Sequence, residues 1–216
     1  MIKKILAGFV TAIALTATAA SAATLSLHGT GQTHVVTNND VLSSLNNTTI
    51  DMIDGSRKNA SNGLFLDIVT GAAQITYTYL GAEAANSNYT AVEGTAVFDN
   101  RGPGYTATNA SVTVTQTVSG FLDFAFGTYA PTWAVGLFNN DGVAEQATRH
   151  YAMGFVAISA NAFYVLFDDI ARGDRDFDDI AIRIDVAAVP LPAGSLLLLS
   201  ALGGALVLRR RKTVAA

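Results

Sequence analysis

Ile180-Ala181-Ile182-Arg183-Ile184-Asp185-Val186 alternates branched apolar residues with small or charged ones over seven positions. A period of two puts successive side chains on opposite faces of a strand, one face in a core and the other in water. Ser111-Val112-Thr113-Val114-Thr115 repeats the pattern with hydroxyls on the wet side. Around these two stretches, short runs of Thr, Val, Ile, Tyr and Phe are separated by Gly, Asn, Asp and Ser. That punctuation predicts strands at 24–28, 33–37, 64–69, 73–80, 95–98, 111–118, 121–126, 132–138, 152–158, 162–167 and 180–186. Only 40–45 suggests a helical turn. About eleven strands and no long amphipathic helix predict an all-β fold, an antiparallel, jelly-roll-like β-sandwich occupying residues 23–188.

Downstream of the deciding strand the chemistry changes. From Val186 to Leu208 no residue is charged, and 193–208 is nearly all Ala, Leu, Gly and Val. Sixteen helical residues span about 24 Å, short of a ~30 Å hydrocarbon core, and counting from Pro190 closes much of that gap. Arg209, Arg210, Arg211 and Lys212 then form a basic stop, which belongs on the cytoplasmic side of a membrane. Directly before the apolar segment stand Val189, Pro190, Leu191, Pro192 and Ala193. This pentapeptide, followed by a transmembrane helix and an Arg cluster, resembles the VPLPA-CTERM variant of the PEP-CTERM sorting signal. The resemblance covers residues 189–216 and implies a substrate of an exosortase, a membrane-embedded processing enzyme that cuts near the motif and passes the protein toward the cell surface. Pro190 and Pro192 would keep the backbone extended and accessible at the membrane edge.

Residues 1–22 have the three-part plan of a secretory signal peptide. Lys3 and Lys4 lead, an apolar stretch runs over 5–20, and Ala20-Ser21-Ala22 offers a small-x-small site for cleavage before Ala23. With both basic ends inside, the middle of the chain must lie outside the cytoplasm.

Immediately upstream of the deciding strand lies the densest chemistry. Phe163-Tyr164-Val165-Leu166-Phe167-Asp168-Asp169 leads into Gly173-Asp174-Arg175-Asp176-Phe177-Asp178-Asp179. The segment resembles a domain-of-unknown-function family of calcium-rich surface proteins, with Asp178 where that family more often has Asn. Asp168, Asp169, Asp174, Asp176, Asp178 and Asp179 carry six negative charges against Arg172 and Arg175. Two explanations stand open. A calcium ion, which takes 6 to 8 oxygen ligands, would discharge the excess, with Asp123 or Asp141 completing its shell. Alternatively the carboxylates accept backbone N–H groups in an Asx-turn loop and the remaining charge is hydrated. An EF-hand is excluded, because Asp179 occupies the loop position that needs glycine and strand follows where helix should.

Composition bounds the rest. All seventeen acidic residues lie in 23–188, against seven of the thirteen basic ones. A domain so acidic, with no Lys/Arg run, is a poor partner for nucleic acid or anionic lipid. There is no cysteine, which excludes disulfides, thiolate metal sites and a cysteine nucleophile. His28 and His34 have the same strand parity and flank Gly29-Thr30-Gly31, so they could face each other across a hairpin; two imidazoles without a third ligand leave a metal site incomplete, and ordinary surface histidines are the alternative that this favours, while His150 has no partner that spacing identifies. No Gly-x-Ser-x-Gly elbow, phosphate loop or dinucleotide fingerprint is present. Trp133, Tyr129 and Phe138 form a candidate sugar-stacking platform, with burial in the core as the alternative. The expectation is an exported, non-enzymatic cell-surface or extracellular-matrix protein with a structural or adhesive role. The alternative is a carbohydrate-binding module or carbohydrate-active enzyme acting on extracellular polysaccharide.

Overall fold

The alternating stretch that decided the fold becomes the middle of a sheet. In the computed structural model, which describes residues 23–29, 32–55, 61–84, 86–100, 105–129, 136–140, 151–169 and 175–189, it forms part of the strand Ile180–Val189, paired antiparallel on both sides. These residues all belong to one compact unit, Ser21–Val189.

Fourteen strands are described. They are β1 Ala23–His28, β2 Gln32–Val35, β3 Thr49–Asp54, β4 Gly63–Ile68, β5 Ala72–Gly81, β6 Asn88–Val92 and β7 Thr95–Asp99, then β8 Ser111–Gln116, β9 Gly120–Phe121, β10 Phe124–Thr128, β11 Gly136–Asn139, β12 Ala152–Ser159, β13 Ala162–Asp168 and β14 Ile180–Val189. Ser43–Leu45 is a single 3₁₀ turn where the sequence predicted a helical one. Every pairing is antiparallel, in a seven-stranded sheet β2-β3-β12-β13-β14-β5-β8, a four-stranded sheet β11-β10-β6-β7 and a three-stranded sheet β1-β4-β9.

The period-two pattern explains the layering. Val165 and Phe167 of β13, Ile182, Ile184 and Val186 of β14, and Ile75, Tyr77 and Tyr79 of β5 join one buried cluster. Leu25, Leu64 and Leu66 enter it from the three-stranded sheet, and Val92, Phe98, Phe124, Phe126 and Phe138 from the four-stranded one. The large sheet thus buries one face against residues of both smaller sheets. Burial at about 25 cal/mol per Å² of apolar surface makes this core the main stabilising contribution. Residues of opposite parity, Ile50, Met52, Ala152, Leu166 and Ala181, meet Val36, Leu45 and Phe177 in a second cluster on the other face. The connection around the 3₁₀ turn and the turn before β14 therefore cover what would be the wet side of the sheet.

One predicted strand divides. The run 121–126 splits into β9 and β10, which pair in different sheets. Between them Leu122 donates its N–H to the Leu64 carbonyl, and the Leu122 carbonyl accepts the Asn140 amide. Asn140, fully buried, also bonds both the N–H and the carbonyl of Leu64, tying the two smaller sheets together.

Candidate functional site

The acidic turn is built around an aromatic anchor. Arg175 and Phe177 both have left-handed backbone, φ 54° and 62°, an arrangement that costs energy in non-glycine residues. Packing pays for it: the Phe177 ring is fully buried in the second cluster and lies over Gly154, where an added Cβ would meet Phe177 Cδ1 at 3.0 Å and Ile50 Cδ1 at 2.5 Å. His34 tilts its ring against Phe177, with centroids 5.3 Å apart, and donates from Nε2 to the Arg175 carbonyl at 2.9 Å. Asn39 Nδ2 donates to the carbonyls of Asp176 and Phe177, each at 2.9 Å, while Asn39 Oδ1 accepts the Leu42 N–H. Arg175 reaches the Asp54 carboxylate at 3.2 Å.

Of the six nominated carboxylates, Asp174 lies outside the described residues and the other five take different surroundings. Asp178 is buried and accepts the Asp40 N–H at 2.8 Å. Asp179 accepts the Asp169 N–H at 2.7 Å. Asp169 is buried and receives Asn86 Nδ2 on both oxygens at 3.1 Å and Asn88 Nδ2 at 2.7 Å. Those asparagines belong to a larger buried network. Thr128 donates to Asn88 Oδ1 at 2.7 Å, Asn100 Oδ1 accepts the Asn88 N–H at 2.7 Å, and Asn100 Nδ2 donates to the Asn86 carbonyl at 3.1 Å. Asp168, also buried, ends β13 opposite Ala152, and Asp176 is half-buried.

Electrostatics follow from this crowding. Burial first, then the Asp169 charge with help from Asp168 and Asp176, pushes the Asp179 carboxyl up to about 9, against the Asp169 N–H that favours its ionised form. Asp178 is also raised, mainly by burial, although the Asp40 N–H opposes it. Among the described residues, no three His, Cys, Asp or Glu side chains are grouped to hold a metal ion. Asp123 stands apart from the turn, its carbonyl accepting the Glu93 N–H beside the β6–β7 hairpin. Asp141 and His150 lie outside the described residues.

The two histidines do not meet across a hairpin. His28 and His34 sit in β1 and β2, strands that belong to different sheets and do not pair. His28 stacks on Phe65, centroids 4.8 Å apart, and Phe121 meets both rings edge-on. Ser26 Oγ lies 3.0 Å from His28 Nε2 and donates to Asp67 at 3.0 Å. This is not a nucleophilic triad: the hydroxyl gives its proton to the carboxylate, and the imidazole is not between the two.

The nominated sugar platform also separates. Phe138 is fully buried in the core, Trp133 lies outside the described residues, and Tyr129 is 49% exposed. Tyr129 stacks instead on Tyr89, a residue that sequence reasoning passed over.

At the two ends, Ala23 opens β1 and Val189 closes β14 opposite Ala72. Ala20, Ala22, Pro190, Leu191, Pro192, Ala193, Arg209, Arg210, Arg211 and Lys212 lie outside the described residues, as does the expected transmembrane helix. Among the described residues, no helix is long and apolar enough to cross a membrane. No protein-family model, curated protein or solved structure matches the chain.

Proposed function

We propose that the chain is an exported, non-enzymatic surface or matrix protein, a jelly-roll-like β-sandwich carried between a removable signal peptide and a VPLPA-CTERM-like sorting segment. One observation carries the reading. Ala23, the residue after the expected cleavage site, is already buried and paired with Ile68, and β14 stays paired with β5 up to Val189, so the residues between the two expected targeting segments form sheet. The buried cluster shared by all three sheets supports the sandwich arrangement. The polar groups with the most chemistry bond one another inside the domain, which supports a structural role for them over a catalytic one.

The partners in this reading are an exosortase-type processing enzyme, the membrane through the C-terminal helix, and extracellular polysaccharide at the destination. In a host with the matching exosortase, replacing Pro190 and Pro192 with Ala should trap full-length protein in the inner membrane, because the helix then extends back through the processing site. Normal release of that variant would remove the sorting role of the motif.

Calcium binding at the acidic turn is a second reading, favoured by the crowding that pushes Asp179 up to about 9. A divalent cation would relieve that repulsion. If calcium binds the folded state alone, it raises the melting temperature beyond a control of matched ionic strength, and Asp179→Asn abolishes the rise. Equal melting curves with calcium and with chelator leave the turn as hydrogen-bonded structure.

A further inference from the structure

The outer face of the four-stranded sheet carries two tyrosines that the core does not consume. Tyr77, Tyr79 and Tyr151 are buried with their rings in the core. Tyr89 of β6 instead stands opposite Gly127 of β10. A Cβ added at Gly127 would lie 2.5 Å from the Tyr89 Cζ and 2.6 Å from its hydroxyl, so the ring crosses bare glycine backbone that no other residue would leave open. Tyr129, two positions beyond Gly127, stacks on Tyr89 with centroids 4.5 Å apart and planes 29° from parallel. One face of Tyr129 is therefore covered, yet the residue is 49% exposed, so its other face looks outward. Asp99 of β7 pairs across from Tyr89, close enough to Tyr129 that its charge disfavours the Tyr129 phenolate.

We propose that Tyr89, Tyr129 and Asp99 form a binding face for an uncharged polysaccharide, with the C–H face of a sugar ring on the open side of Tyr129 and sugar hydroxyls on Asp99. Each part of the site matches a part of that ligand. An outward phenol offers an apolar π-face with a polar edge. A carboxylate held beside it accepts two or more hydroxyl hydrogen bonds. The surplus of seventeen acidic over seven basic residues in 23–188 repels anionic polymers, so nucleic-acid bases and acidic polysaccharides do not suit the same ring. A second copy of the chain does not suit it either, since one stacked pair with a carboxylate beside it falls far short of the roughly 800 Å² per partner of a stable interface. The proposal names a ligand class for the destination given above, but rests on the folded domain and not on export or tail processing.

The test is affinity electrophoresis of the full chain, kept soluble in a polyoxyethylene detergent, through native gels containing galactomannan, xyloglucan, β-1,3-glucan or polygalacturonate. Retardation is expected in at least one neutral gel and not in polygalacturonate. Tyr129→Ala and Tyr89→Ala should each weaken it at least ten-fold, and Asp99→Asn several-fold, with the melting temperature of Tyr129→Ala unchanged. Asp99→Asn keeps the loss interpretable if an alanine variant proves less stable. Unretarded wild-type protein in every neutral gel, retention confined to polygalacturonate, or full retention of the variants would each overturn the proposal. None of these outcomes bears on how the tail is processed.

Discussion

The acidic turn before β14 and the tyrosine face of the four-stranded sheet are opposites in how they use polar chemistry. The turn concentrates charge, then spends it internally: Asp178 on the Asp40 N–H, Asp179 on the Asp169 N–H, and Asp169 on Asn86 and Asn88. The tyrosine face carries far less charge and leaves Tyr129 half-exposed. A dense run of functional side chains need not be left open to a ligand. What matters is which groups the fold leaves open.

If the turn is structural, changes there should cost stability and changes on the tyrosine face should not. The largest effect is expected for Phe177→Ala, which empties a fully buried ring position and removes the anchor for two left-handed residues. A loss of about 3–5 kcal/mol is expected in denaturant melts. A loss below about 1 kcal/mol would mean the turn is not fastened through Phe177.

Asn39→Ala comes next. Its amide holds two carbonyls of the turn and its carbonyl holds Leu42, all within a buried residue. Leaving those groups unsatisfied costs about 1–3 kcal/mol.

Asp179→Asn should act in the opposite direction. The folded carboxyl keeps its proton up to about 9, whereas the ordinary value is 3.8. Between those values the folded state binds a proton that the unfolded chain has released, so stability falls as pH rises through that window. Asparagine keeps an oxygen for the Asp169 N–H and has no such proton to lose. In chelator, the variant should melt a few degrees above wild type at pH 8, the gap closing toward pH 4. A variant less stable than wild type at pH 8 would show that the ionised carboxylate is itself a stabilising acceptor.

The smallest stability effect belongs to Tyr129→Ala, within about 0.5 kcal/mol of wild type, because the ring leaves the surface and not the core. A loss comparable to that of Asn39→Ala would place Tyr129 in the structural class and erase the contrast.

Much of the fold was legible in the sequence, for a reason visible in β14 and β8: where one face is apolar and the other polar, period two cannot be mistaken. β6 escaped because it inverts the rule. Its inward positions, Asn88, Thr90 and Val92, are mostly polar, and its outward Tyr89 is aromatic. β3 escaped because Ile50 and Met52 are embedded among Asn, Thr and Asp that read as loop. Asp178 and Asp179 do accept backbone N–H groups, but from Asp40 and Asp169, which are too far along the chain for the local bonds of an Asx-turn. Nothing in the spacing tied Asp169 to Asn86 and Asn88, more than eighty positions away. His28 and His34 do not face each other because β1 and β2 belong to two different sheets, which equal parity across a short glycine-bearing segment could not show. Local sequence reports faces and turns; contacts between sheets are set by the core.

The central claim is that a folded domain from Ala23 to Val189 is carried between two removable segments, and intact-mass spectrometry of the protein recovered from the cell surface tests it most directly. The account predicts a chain beginning at Ala23 and ending close to the Val189-Pro190-Leu191-Pro192-Ala193 motif, without Arg209, Arg210, Arg211 and Lys212. A mass that retains Met1, or that ends at Ala216, would contradict it.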